Sequence, residues 1–160
     1  MTRPLLRIAE NNGVAAIRNP FEQSWSLALG HGGRLRRLQV KLLGSLRTRF
    51  HHHRQIRNDT VHTTDGTIGV TATGDLNGPT LRQLLATMPD GVWELVCHPG
   101  YNDAELAAVP TRLRAQREIE LRALLTELPK RLALPNPPQL IHYGNLGAIE
   151  AQELNSSTRK

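Results

Sequence analysis

One histidine of this chain stands where parallel α/β proteins place reactive groups. The run Val92–Cys97 is the strongest strand candidate, and it stops at His98-Pro99-Gly100. Reactive side chains in such folds lie where strands end and loops begin. An imidazole titrates near neutral pH, so it can serve there as a general acid or base. His98 is therefore the candidate catalytic residue; the alternative is a structural histidine that only hydrogen-bonds the loop backbone.

The other histidines and the single cysteine form no recognisable metal or nucleophile pattern. Neighbouring helical positions point about 100° apart, so the run 51–53 of three histidines cannot chelate one ion as an i, i+4 pair does. We expect a solvated basic helix end there. Cys97 points to the opposite strand face from His98, and we expect a buried, inert thiol. The remaining histidines, which show no ligand spacing, are His31, His62 and His142.

Alternating helices and strands must position these residues. The patterns predict helices over 2–12, 34–50, from 77 onward and 111–128, and strands over 14–17, 67–70, 92–97 and 139–143. Such alternation predicts a mainly parallel sheet covered by helices. A closed barrel needs about eight strands and ~250 residues. We therefore expect an α/β fold that is a partial (β/α) barrel, with one domain over 1–150 and a flexible tail over 151–160.

Composition excludes several classes of protein. No run approaches the roughly 18 apolar residues of a membrane span, and one cysteine fits a reducing cytoplasm rather than a disulfide framework. The net charge of +6 is local, because residues 24–57 hold eight basic side chains and no acidic one; the rest has 12 basic and 14 acidic. We expect no membrane partner. A basic nucleic-acid-binding protein is an alternative that the low aromatic content of 4% disfavours.

Four stretches together resemble one enzyme family. The run Trp93–Asp103 resembles the family segment that ends in a CHPGY-type motif. The other stretches agree with the family in their order along the chain, at 16–22, at 63–66 with 72–76, and at 112–125. The chain is identified on this ground as similar to the C-terminal half of YdjC-like carbohydrate deacetylases (the ChbG/HpnK family). The resemblance extends to about Tyr143.

This resemblance implies hydrolysis of N-acetyl groups on sugars by a divalent metal, Mg²⁺ or Zn²⁺, within an incomplete or distorted (β/α) barrel. His98 matches the family histidine that protonates the leaving amine or steadies the tetrahedral intermediate. Arg18 and Glu22 are the implied substrate-binding residues. A structural ion pair is the alternative role for Arg18.

The family's metal ligands have no counterpart in this sequence. The Asp-Asp pair of a TADDFG-like segment and the HxH motif are both missing, so no metal ligand is predicted. We therefore expect N-terminal strands of the barrel to be missing. Three interpretations stay open: a truncated deacetylase, a non-catalytic remnant, and an interaction module that forms a homo-oligomer or joins a missing N-terminal half.

Overall fold

The computed structural model describes residues 2–29, 34–48, 50, 61–149 and 151. The predictions made for His31, for the histidines at 51–53 and for nearly all of the tail lie outside these ranges. The elements in chain order are α1 Thr2–Asn11, α2 Ser24–Leu29, α3 Arg34–Gly44, β1 Gly66–Ile68, α4 Gly78–Thr87, β2 Trp93–Leu95, α5 Ala104–Ala108, α6 Arg114–Leu132 and the 3₁₀ turn η1 Tyr143–Asn145.

The sheet is small, open and parallel. Strands β1 and β2 pair in parallel, with Thr67 opposite Glu94. Two single parallel bridges extend the arrangement on the other side of β1, from Ala16 to His62 and from Glu22 to Thr67. The segment 16–22 therefore runs beside the segment 62–67, which in turn runs beside β2. The prediction of a mixed helix and strand fold with a parallel sheet is confirmed.

Three predicted strands are shorter than expected or displaced. The segment 14–17 makes only its single bridge, and β2 covers the centre of the predicted strand 92–97. The strand predicted at 67–70 is observed as β1, which ends before Gly69 because that residue has a φ of +87°. A Cβ at position 69 would also lie 2.9 Å from the carbonyl oxygen of Val96. Glycine is therefore required at this turn.

The strand predicted at 139–143 was wrong. Residues 139–141 lie along a groove of about 300 Å³ that Val92–Leu95 lines on its other side, with no strand assigned to them. Two causes are visible. The preceding prolines at 137 and 138 lack an N–H for a ladder, and the His142 side chain accepts the N–H of Gly144 (3.1 Å), which starts η1.

The helices on either side of the main core agree better with prediction. The side chain of Asn77 caps α4 by accepting the N–H of Thr80 at 3.1 Å, as expected of an asparagine at this position. Helix α6 replaces the helix predicted at 111–128 and is displaced toward the C-terminus, because Leu113 before it has a left-handed φ of +66°. The short helices α2 and α5 were not predicted.

The core lies between the helices and one face of the sheet. Helix α4 packs on α6 through a buried apolar cluster. The side chains of Leu95 in β2 and of Cys97 in the loop after β2 contact this cluster. The Trp93 ring meets Trp25 of α2 edge to face at 5.6 Å. Cys97 is half-buried, and burial raises the pKa of its thiol, in agreement with an inert role. Because side chains alternate along a strand, Glu94 lies on the opposite face. The cluster's members are Ala72, Leu76, Leu81, Leu84, Leu85 and Ala123.

Helix α3 is amphipathic as predicted, but its leucines are not covered. Leu38, Leu42 and Leu46 are all exposed, whereas Phe50 is buried with its ring 5.4 Å from that of Phe21. Among the described residues, no helix is both long and apolar enough to cross a membrane.

Candidate active site

The loop that carries His98 is fixed to helix α6 at both ends. The parallel pairing continues one residue past β2, where the Val96 N–H donates to the Ile68 carbonyl at 2.9 Å. The His98 backbone N–H then donates to Oε2 of Glu120 at 2.5 Å, and the Gly100 N–H donates to the Arg117 carbonyl at 3.2 Å. The backbone of His98 is thus held in place before any substrate arrives.

Glu120 joins the two loops that follow the strands. Its carboxylate is buried, and Oε1 accepts the N–H of Gly74 from the loop after β1 at 3.1 Å while Oε2 holds the loop of His98. The imidazole Nδ1 of His98 lies 3.9 Å from the same Oε2, and the imidazole remains 44% exposed. A histidine that is fixed through its backbone and accessible at its ring can exchange a proton with a bound molecule.

The same face of α6 carries a second buried carboxylate, one heptad further on. Glu127 accepts two hydrogen bonds from the guanidinium of Arg82 on α4, at 2.8 and 2.9 Å, and one from the Lys130 ammonium at 3.1 Å. These donors lower the pKa of Glu127 from 4.5 to about 2. The ion pair fixes α4 against α6, and so it supports the helix that holds the His98 loop.

This ion pair predicts a defined acid sensitivity. Because the folded pKa of Glu127 lies below 4.5, its contribution to stability is present above pH 4.5 and is lost as the pH falls toward about 2. We expect the melting temperature of the wild type to exceed that of Glu127→Gln. The difference between the two should be constant near neutral pH and should decrease as the pH falls from 4.5 toward about 2. Thermal melts followed by circular dichroism at a series of pH values measure it. A margin that stays the same down to pH 2 would contradict the assignment.

Arg18 takes part in a separate network on the other face of the sheet. Its guanidinium makes a bidentate ion pair with the carboxylate of Glu94 in β2, with N–O distances of 2.9 and 2.5 Å. The Tyr143 hydroxyl donates to the same carboxylate at 2.6 Å. The carboxylate raises the pKa of Arg18, and burial together with Glu94 raises the pKa of Tyr143 to about 12. Tyr143 is therefore a donor across the physiological range. Most of the Arg18 side chain is exposed.

Glu22 lies in a third network and is fully engaged by protein donors. One carboxylate oxygen accepts from the Ser26 hydroxyl (2.7 Å), the Gly69 N–H (3.0 Å) and the Thr71 hydroxyl (3.2 Å). The other accepts the Thr71 N–H at 2.8 Å. This buried carboxylate ties the turn after β1 to the start of α2. The structure thus places the three predicted site residues, His98, Arg18 and Glu22, in three distinct networks.

The described part of the chain does not fit a metal centre. Within it, no three His, Cys, Asp or Glu side chains converge as a metal would require. The chemistry of the carboxylates agrees, because Glu22, Glu94 and Glu120 all direct their oxygens at N–H and O–H donors. His142 is equally committed, since its Nδ1 caps η1.

Glu94, Glu120 and Tyr143 are functional residues that were not predicted from the sequence. Glu120 had a signal: it shares a helix face with Ala123 and Glu127, and all three are buried. A glutamate on an otherwise apolar face is buried only with donors around it. The sequence gives a weaker signal for Glu94 and Tyr143. Glu94 occupies an alternating position between apolar residues of β2, which indicates only that its side chain is on the other face. Its partner Tyr143 lies 49 residues further along the chain, so no local pattern connects the two.

These features define a parallel α/β protein with an accessible histidine at the carboxyl end of a strand. The family model described as YdjC-like protein matches residues 1–132 of the 160-residue chain, so the protein belongs to the YdjC-like family, a family of carbohydrate deacetylases. The family is generally metal-dependent. In contrast, the described residues of this chain contain no group of side chains that could hold a metal ion. No curated protein and no solved structure gave a match to the chain.

Proposed function

We propose that this chain takes part in the hydrolysis of N-acetyl groups on sugars, with His98 as the residue that transfers a proton. The observation that carries the proposal is the placement of His98. It follows β2, its backbone is held by Glu120, and its imidazole remains accessible. Membership of the YdjC-like family supplies the reaction class.

The reaction requires one proton donor at the nitrogen that leaves. Water adds to the acetamide carbonyl, the C–N bond of the tetrahedral intermediate breaks, and acetate and a free sugar amine form. The amine is a poor leaving group until it takes a proton, and an imidazolium near neutral pH can give it one. The Glu120 carboxylate lies 3.9 Å from Nδ1 of this imidazole.

We also propose that the sheet is part of a larger (β/α) barrel whose interior face carries Arg18 and Glu94. The strands run parallel, and the helices cover the face that Trp93 and Leu95 occupy. The exposed N–H groups of Arg18 would then donate to sugar hydroxyls. Glu22 would support substrate binding indirectly, by holding the turn at 69–71 in place, because its own oxygens already accept hydrogen bonds from that turn.

The metal ligands of the reaction would have to come from outside the described residues. In the family, a divalent ion such as Mg²⁺ or Zn²⁺ polarises the carbonyl and activates water. The described carboxylates accept protein donors instead. We propose that a second polypeptide, either another copy or a chain with the N-terminal part of the barrel, supplies these ligands.

The test is acetate release from a defined sugar. The chain is incubated with N-acetylated chitooligosaccharides, with Mg²⁺, with Zn²⁺ or with a chelator, and acetate and free amine are quantified in parallel. If a second copy of the chain supplies the metal ligands, equal amounts of both products, above those of the heat-unfolded chain, are the expected result. If a separate chain with the N-terminal part of the barrel supplies them, both products are expected only after that chain is added. Free amine without acetate would point to a different bond being cleaved. No product under any condition, with a clean monomer in sedimentation, would contradict catalysis by this chain alone.

A non-catalytic interaction module is the second candidate, and the lack of a metal-binding group among the described residues favours it. This candidate expects binding of the chitooligosaccharide without turnover. Isothermal titration calorimetry with the same sugar separates the two, because a binding module gives a saturable heat and no acetate.

A further inference from the structure

The outer side of α3 presents three leucines in a row. Leu38, Leu42 and Leu46 recur every four residues, so they form one stripe along the helix and the turn after it. We refer to these three residues as the leucine stripe. Their exposed fractions are 63%, 72% and 52%. A stripe of this kind is normally buried against a core, and its exposure indicates a surface that contacts something apolar.

On the other side of α3, Val40 is partly buried, and Phe50 just beyond the helix is buried with its ring against that of Phe21. The leucine stripe is more exposed than these two residues.

The segment of the sequence that contains the stripe carries charge of one sign. Residues 24–57 contain eight Lys and Arg residues and no Asp or Glu. Lys41 is exposed beside the stripe, and Arg47 follows Leu46 directly. The surface is therefore apolar along its centre and positive at its border.

This combination distinguishes between possible occupants. Nucleic acid would engage the cations but leave the leucines without an apolar contact. A second copy meeting this face would place like charges opposite each other. A bilayer with anionic headgroups satisfies both features, because acyl chains accept the leucines and phosphates accept the cations.

We propose that α3 binds the surface of an anionic lipid bilayer. The helix lies in the plane of the interface, with the leucine stripe inserted between acyl chains and the stem of Lys41 extending toward the headgroups. This differs from our expectation of no membrane partner, which was based on the lack of a spanning segment. The proposal is independent of sugar deacetylation.

Sedimentation with vesicles tests the proposal on the full chain. We expect binding to equimolar phosphatidylcholine and phosphatidylglycerol, weak binding to phosphatidylcholine alone, and release by added salt. The triple variant Leu38→Gln, Leu42→Gln, Leu46→Gln is expected to lower the partition coefficient by about 1,000-fold, since each leucine contributes about tenfold. Lys41→Glu with Arg47→Glu is expected to lower it by about tenfold or more.

A matched control is available on α6. The side chain of Leu125 is 67% exposed, a fraction similar to the 72% of Leu42. Leu125→Gln is expected to leave vesicle binding unchanged. All of these variants should melt at the wild-type temperature, because the altered side chains are at the surface. Failure of the wild type to sediment with anionic vesicles would overturn the proposal. So would equal losses in the stripe and control variants, or duplex DNA binding without vesicle binding.

Discussion

Replacing His98 with alanine is expected to lower kcat/KM for acetate release by about 10²- to 10⁴-fold, the usual contribution of a general acid or base. The expected change in stability is small. The structural role of His98 is carried by its backbone N–H, which donates to Glu120 and is retained in alanine. The imidazole is 44% exposed, so its removal leaves no buried cavity. Loss of activity with an unchanged melting temperature is therefore specific to the chemical role.

The measurement for this variant combines steady-state kinetics with thermal melts. His142→Asn is the matched control, because asparagine keeps an acceptor for the cap that His142 provides to η1. The control should retain wild-type activity. If His98→Ala hydrolyses the sugar at the wild-type rate, His98 serves only to shape the loop.

Removal of the Glu120 carboxylate is expected to have the largest effect on stability. Glu120→Ala leaves the N–H groups of Gly74 and His98 without their acceptor. Each unsatisfied buried donor costs about 1–3 kcal/mol, so for these two donors, which are partly buried, we expect a loss of up to roughly 2–6 kcal/mol in the free energy of unfolding. Activity should fall as well, because the His98 loop loses its anchor on α6.

Denaturant unfolding measures this loss, and α6 provides its own control. Glu118 is partly exposed, and its ion pair within the described part of the chain is with Arg122 at 2.8 Å, so Glu118→Gln is expected to change stability by no more than about 0.5 kcal/mol. Glu120→Gln keeps one acceptor oxygen and should lie between alanine and the wild type. Equal stability for Glu120→Ala and Glu118→Gln would show that other groups hold the two loops.

Local patterns predicted the elements that depend on local chemistry. Asn77 marked the start of α4, and the apolar run at 92–97 marked β2, because capping and strand alternation involve neighbouring residues only. The accessible histidine at the strand end was predicted for the same reason.

The parts that depend on distant residues could not be predicted. The ion pair of Arg18 joins residues 76 positions apart, and the position of Glu120 under His98 depends on how α6 packs over the sheet. The strand predicted at 139–143 failed for a local reason instead, because the prolines before it lack ladder N–H groups and the His142 side chain starts η1. Helix α3 shows the limit of periodicity, which identified the helix but not which of its sides faces the protein.

The phenol of Tyr143 affects where a working fragment of this protein can end. The family match stops at residue 132, and a fragment cut there keeps both strands and the helices α1 to α6. It loses the hydroxyl that donates to Glu94 at 2.6 Å, and among the described residues only the Arg18 guanidinium then remains as a side-chain donor to that carboxylate. Family boundaries drawn from sequence therefore divide a hydrogen-bonded unit, and truncations intended for expression should extend past η1.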